Sequence, residues 1–180
     1  MWGLGALSMR FVTSIQQHIS IFISHSAENN DEAQHYEAIL KGVGFSAFQY
    51  GHGLHPGEHI GEVVHDQISK CHFFLLLVSD HSLISPWVQR ELGLAVALRE
   101  QNRGYKPVII PLYAKNAGWR ASGKRPTTFI TRDFKTGKKR EPFDLSVRGL
   151  DKYASPRADS DDGLISFMRP HILVTRVDDF

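Results

Sequence analysis

The chain has 180 residues, a formal net charge of +2, and 42% apolar and 22% charged residues. That suits one domain with a sizeable core, excludes disorder throughout, and gives no ground from charge for a nucleic-acid partner. Cys71 is the single cysteine, which excludes an intramolecular disulfide and fits a reducing, cytoplasmic setting; no apolar run is long enough to span a bilayer.

Residues 1–17 open with "MWGLGALSMRFV". They lack a basic segment before the apolar part and a clear cleavage site, so they read as a flexible leader and not as a signal peptide. "HISIFIS", 18–24, alternates and then turns β-branched and apolar, as a buried strand does. A polar loop, "HSAENND", follows. Residues 31–40 carry a helical pattern, with Ala33, Tyr36, Ile39 and Leu40 on one side. Gly42 and Gly44 end it. "FSAFQY" reads as a second strand and "GHGLHPGEH" as a glycine-rich loop. Residues 60–68 read as a helix with Ile60, Val63, Val64 and Ile68 on one face.

"HFFLLLVS", 72–79, is the most apolar run, the pattern of a central strand covered on both faces. A helix is expected over about 82–101, and "KPVIIPLY" is a fourth strand whose Pro111 signals an edge or a bend. A basic insertion occupies about 114–142. "TFITRDFKTGKKREPF" within it suits a hairpin around Thr136 and Gly137; a solvated loop and a basic patch for a partner are the other readings. "FDLSVRGLD" is a short last strand. "DSDDGLISFMRPHI" is a last helix, its acidic residues suited to a helix start.

Strands and helices alternate along the chain. This predicts an α/β fold with a mostly parallel sheet and helices on both faces. Ligands bind such sheets beyond the carboxyl ends of the strands. Three segments are therefore candidates: "SHSAENN", "YGHGLHPGEH" and "SDHSLISPWVQRE".

The third holds an oddity. At about 100° per residue, Ile84, Val88, Leu92 and Ala95 define the core stripe of the 82–101 helix. Trp87, Leu94 and Leu98 flank it, while Gln89, Arg90, Glu100 and Gln101 point away as a solvated face. Glu91 falls inside the apolar arc. A carboxylate there must be satisfied by a partner or open to a cleft. A purely structural glutamate satisfies that rule, as a core tryptophan accounts for Trp87; the position at the ligand end of the sheet favours a site.

These residues together resemble a TIR domain, the Toll/interleukin-1-receptor fold of immune and cell-death proteins and of bacterial antiphage systems. The resemblance runs over about 18–172. It rests on "ISIFISHSAEN", on "GFSAFQYGHGLHPGEHI" with its Leu54-x-Pro56-Gly57 portion, and on "HFFLLLVSDHSLISPWVQRELGLA" with the Trp87-x-x-x-Glu91 pair. It implies a flavodoxin-like, doubly wound, five-stranded sheet over 18–175, with 176–180 as a tail. It also implies an NAD glycohydrolase of the bacterial, NAD-cleaving branch. In that branch Glu91 is catalytic, and Trp87, Ser24, His25, Ser79 and Leu54 bind substrate. Leu54, Pro56 and Gly57 belong to the self-association loop.

NAD is then a substrate, with no further cofactor and no metal. The expected partners are other copies of the domain and a sensor or effector domain or protein, and neither a membrane nor a nucleic acid. Ser26 and Ala27 stand where some relatives carry arginines that hold phosphate. Arg99, or a basic residue of a neighbouring subunit, would substitute for them. The product is ADP-ribose or a cyclic ADP-ribose.

Other features carry less. Gly51-x-Gly53-x-x-x-Gly57 departs in spacing from the dinucleotide fingerprint. His52, His55 and His59, with Glu58, lack a cysteine partner, and Pro56 interrupts their helix face. Two other functions compete: a non-catalytic TIR scaffold acting through self-association, and a nucleoside deoxyribosyltransferase-like enzyme on a similar sheet.

Overall fold

A computed structural model of the protein describes residues 19–50, 60–103, 106–114, 126–144 and 164–166. In chain order the elements are β1 (Ser20–Ser24), a single 3-10 turn (Ala27–Asn29), α1 (Asn30–Gly42), β2 (Ser46–Gln49), α2 (Ile60–Lys70), β3 (Phe73–Val78), α3 (Asp80–Ile84), α4 (Pro86–Gln101), β4 (Val108–Tyr113), β5 (Thr128–Phe129) and β6 (Phe143–Asp144).

β1 to β4 form a parallel sheet in the order β2-β1-β3-β4. All six residues of β3 are buried, as its unbroken apolar run predicts. The period of two sends alternate strand residues to opposite faces. Ile21, Ile23, Phe73, Leu75 and Leu77 pack with Ala33, Tyr36 and Leu40 of α1, and Leu164 joins them. Phe22, Phe74, Leu76 and Val78 pack with Val64 and Ile68 of α2 and with Val88, Leu92 and Ala95 of α4. The helices thus cover both faces. Pro111 lies in β4, at the edge of the described sheet, and β4 stays paired with β3 through Tyr113 without bending away.

The expected count of five strands differs from what is described. Four strands form the sheet among the described residues, and the start of the expected last strand is used otherwise. Phe143 and Asp144 pair antiparallel with Phe129 and Thr128 in a separate two-stranded sheet. The expected hairpin forms there. An Arg132–Lys139 bridge extends the ladder. Gly137 sits at φ 70°, where a residue without Cβ is favoured. Asp133 accepts from the Thr136 amide and hydroxyl, which hold its carboxyl below the usual range.

The hairpin is not a solvated insertion. Phe129, Thr131 and Phe143 are buried, and both phenylalanines belong to the core beside α4.

The expected 82–101 helix is also two helices. Ser79 caps α3 in a reciprocal box with Ser82. Ser85 ends α3 and caps α4, with Pro86 in the first turn, where its missing N–H costs nothing. The break turns Ile84 outward to 75% exposure, so it leaves the core stripe assigned to it. Val63 of α2 is likewise 45% exposed.

Candidate active site

β1 connects to β2 on one side and reaches β3 on the other. Its carboxyl end is therefore the switch point of the sheet, where α/β folds hold ligands. α4 begins beside it. Ser24, the last residue of β1, donates its hydroxyl to Glu91 Oε2 at 2.6 Å. The Trp87 indole N–H, one turn earlier on α4, bonds the same carboxyl. Glu91 itself is 2% exposed.

Burial pushes the Glu91 carboxyl up to about 8, and the Ser24 and Trp87 hydrogen bonds offset only part of that. At neutral pH the buried carboxyl is therefore protonated. Ionisation must accompany a change in its surroundings or a rise in pH.

Two other expected site residues, Ser79 and His25, lie at the carboxyl ends of β3 and β1. Ser79, after β3, is buried, and its hydroxyl donates to Asn29 Oδ1. The Ser26 hydroxyl donates to the same oxygen at 2.7 Å. Asn29 thus ties the ends of β1 and β3, a role its sequence position does not announce. His25 is buried, with Nδ1 2.8 Å from the Ser26 carbonyl and Nε2 2.8 Å from Gln49 Oε1. His25 links the carboxyl ends of β1 and β2. Leu54, Pro56 and Gly57, with His52, His55, Glu58 and His59, lie outside the described residues. No metal-binding cluster occurs among the described residues.

Arg99 does not reach this end of the sheet. It lies in the last turn of α4 and donates to the Pro107 carbonyl, just before β4 starts. α4 runs opposite to the strands, which puts Arg99 at their amino ends. Arg90 of α4 and Lys135 of the hairpin are two other cations. Both line an open cavity of about 700 Å³ bounded by Trp87, Phe134 and the start of α2.

Gln89 and Arg90 also depart from the expected solvated face. Gln89 is 6% exposed. Its Oε1 accepts from Arg132 Nε at 2.7 Å, its amide donates to the Leu83 carbonyl at 2.9 Å, and its carbonyl accepts from the Arg132 amide at 2.9 Å. The hairpin covers this side of α4. Local periodicity carries no trace of a segment forty residues away.

The burial of Glu91 sets a pH dependence of stability. A carboxyl with a raised folded pKa contributes stability that is fully present below its unfolded value of 4.5. That stability is lost as pH rises through about 8. Glu91→Gln removes this dependence. The melting temperature of Glu91→Gln should therefore gain on wild type by about 5 °C or more between pH 5 and pH 9. Thermal scans of both proteins across that range check it, and a constant difference refutes it.

A parallel sheet with helices on both faces and a buried acid at its switch point defines a doubly wound α/β domain. A family model for the TIR domain matches residues 21–148, more than half of the chain, and the chain belongs to the TIR-domain family. Among solved structures it is similar to the TIR domains in the structure of the activated Roq1 resistosome directly recognizing the pathogen effector XopQ. That similarity has 20% identity and a TM-score of 0.45, over 53% of this chain and 57% of that chain. The chain thus matches little more than half the length of that relative. No curated protein matches the sequence. No helix among the described residues is long and apolar enough to cross a membrane.

Proposed function

We propose that this TIR domain is an NAD glycohydrolase with Glu91 as its catalytic residue, acting in immune or antiphage signalling. The observation that carries the reading is the Glu91 carboxyl at the switch point, held by Ser24 and Trp87 with no cation bonded to it among the described residues. A structural glutamate of this depth is ordinarily paired with a cation or several amides. Here one carboxyl oxygen rests on a hydroxyl, which is easily exchanged for a sugar hydroxyl.

The chemistry needs one carboxylate. Most glycosidases use two, because one must protonate a poor leaving group. In NAD the nicotinamide is cationic and leaves neutral, taking the electron pair of the N–ribose bond. Positive charge then develops at the ribosyl carbon. Once ionised, the carboxyl held at this position in an apolar setting stabilises that charge. Water adds to the carbon and loses its proton to solvent, giving ADP-ribose; attack by an adenine nitrogen of the same molecule gives the cyclic product.

Self-association is part of the proposal. The family resemblance implies it, and the structure described as a resistosome is one in which related TIR domains occur.

The test is to incubate the protein, over a range of protein concentrations, with NAD and separately with deoxynucleosides, and to identify the products. Free nicotinamide is expected from NAD. Free base from deoxynucleosides instead would place the chain with the transferases, and no product at any concentration would leave a scaffold.

A further inference from the structure

The cavity beside Trp87 has no part in the chemistry above. Glu91 does not line it, because the Trp87 side chain both bonds the carboxyl and forms a wall of the cavity. Its volume of about 700 Å³ lies within the range of small-molecule sites. Two kinds of surface meet there. Trp87, Phe134 and Ile60 supply apolar wall. The Trp87 and Phe134 rings are 6.0 Å apart and inclined at 54°, and His65 lies 5.7 Å from Phe134. Arg90 and Lys135 supply positive charge, against one acid, Glu62.

Arg90 is the distinctive member. Its Nε is buried and has no hydrogen-bond partner. A guanidinium carries five donors and no acceptor, and a buried donor left unmatched is costly. A Cβ on Gly137 would lie 2.3 Å from Arg90 Nη2, so the guanidinium rests directly on the hairpin turn. Gly137 thus serves two ends, the left-handed turn and the close approach of Arg90.

We propose that this cavity binds a nucleoside diphosphate. Arg90 and Lys135 hold the phosphates, and the Trp87 and Phe134 rings take the base. A planar fork suits phosphate oxygens, and flat rings suit a base of either kind. The hairpin builds both halves, through Phe134 and Lys135 and through the turn under Arg90. The base-and-diphosphate chemistry is shared by free ADP and by the ADP portion of a dinucleotide.

Titration of the protein with ADP, adenosine and pyrophosphate, followed by calorimetry or NMR, tests this without turnover. ADP should bind more tightly than either fragment. Arg90→Ala should weaken ADP about tenfold or more, the share of a charge-assisted contact. Lys135→Ala, at an exposed position that leaves the fold intact, should weaken it severalfold. Glu62→Gln should strengthen it, and Lys139→Ala, away from the cavity, should leave it unchanged. Competition between ADP and ADP-ribose assigns the site to the dinucleotide portion, and its absence assigns a separate nucleotide; either upholds the site.

No ADP binding at millimolar concentration would overturn the proposal, as would equal losses from Lys135→Ala and Lys139→Ala. The result is separable from the NAD reading. A protein that releases nicotinamide yet binds no ADP keeps the role of Glu91 and loses this site. One that binds ADP through Arg90 and leaves NAD intact does the reverse.

Discussion

A Glu91→Gln protein should fold as wild type does and release nicotinamide from NAD about a hundredfold to a thousandfold more slowly. The substitution keeps the side-chain volume. The amide oxygen can still accept from Ser24 Oγ, now 2.6 Å from Oε2. What it removes is the ability to become negative. If Glu91 only anchors α4 to β1, the neutral amide serves nearly as well as an acid that is itself protonated at neutral pH, and turnover survives. If the carboxylate stabilises a ribosyl cation, turnover falls while the melting curve does not. Circular dichroism of the same sample separates loss of chemistry from loss of fold.

The second large effect falls on stability. Gly93 lies on the α4 face that the hairpin covers, and a Cβ there would lie 1.9 Å from the Arg132 carbonyl oxygen and 2.9 Å from its carbon. Both atoms are backbone, so no rotamer change relieves the clash. The hairpin cannot simply lift, because the Arg132 amide and Nε are bonded to Gln89 and because Phe129 and Phe143 are buried beneath it. In an isolated helix, Gly→Ala is stabilising by about 1 kcal/mol. Here we expect the opposite sign. Gly93→Ala should cost about 3 kcal/mol or more, the upper part of the overpacking range, and lower the melting temperature by about 6–12 °C. A rise in the melting temperature would show that the hairpin does not dock as described. Gly42 is an internal control, since a Cβ there meets nothing within 4 Å.

The features legible in the sequence are those whose causes are local. The six apolar residues of β3 can only be a strand covered on both faces, and they are. Glu91 stands out because a carboxylate inside an apolar arc needs a partner, and the structure supplies Ser24 and Trp87. Thr136 and Gly137 mark a turn, and the turn forms.

The rest depends on distant segments. Gln89 and Arg90 share the polar side of α4, and polar residues there read as solvated until a hairpin is laid over them. Ile84 keeps helical phase with Val88, but Ser85 and Pro86 reset the axis, so the phase no longer counts. Arg99 looks near Glu91 along the chain, yet two turns of helix carry it to the other end of the sheet. Asn29 joins two strand ends by accepting from Ser26 and Ser79, a contact fifty residues apart in the second case. The expectations for Leu54, Pro56 and Gly57 concern positions outside the described residues.

The claim at the centre is that Glu91 works as a carboxylate although its burial holds it as an acid. The dependence of kcat/KM for nicotinamide release on pH tests this most directly, because kcat/KM reports ionisations of the free enzyme. With the carboxyl pushed up to about 8, kcat/KM should climb by about tenfold per pH unit on the acid side and level off above that value. A profile that is flat from pH 5 to pH 9, or that falls across it, would contradict the assignment.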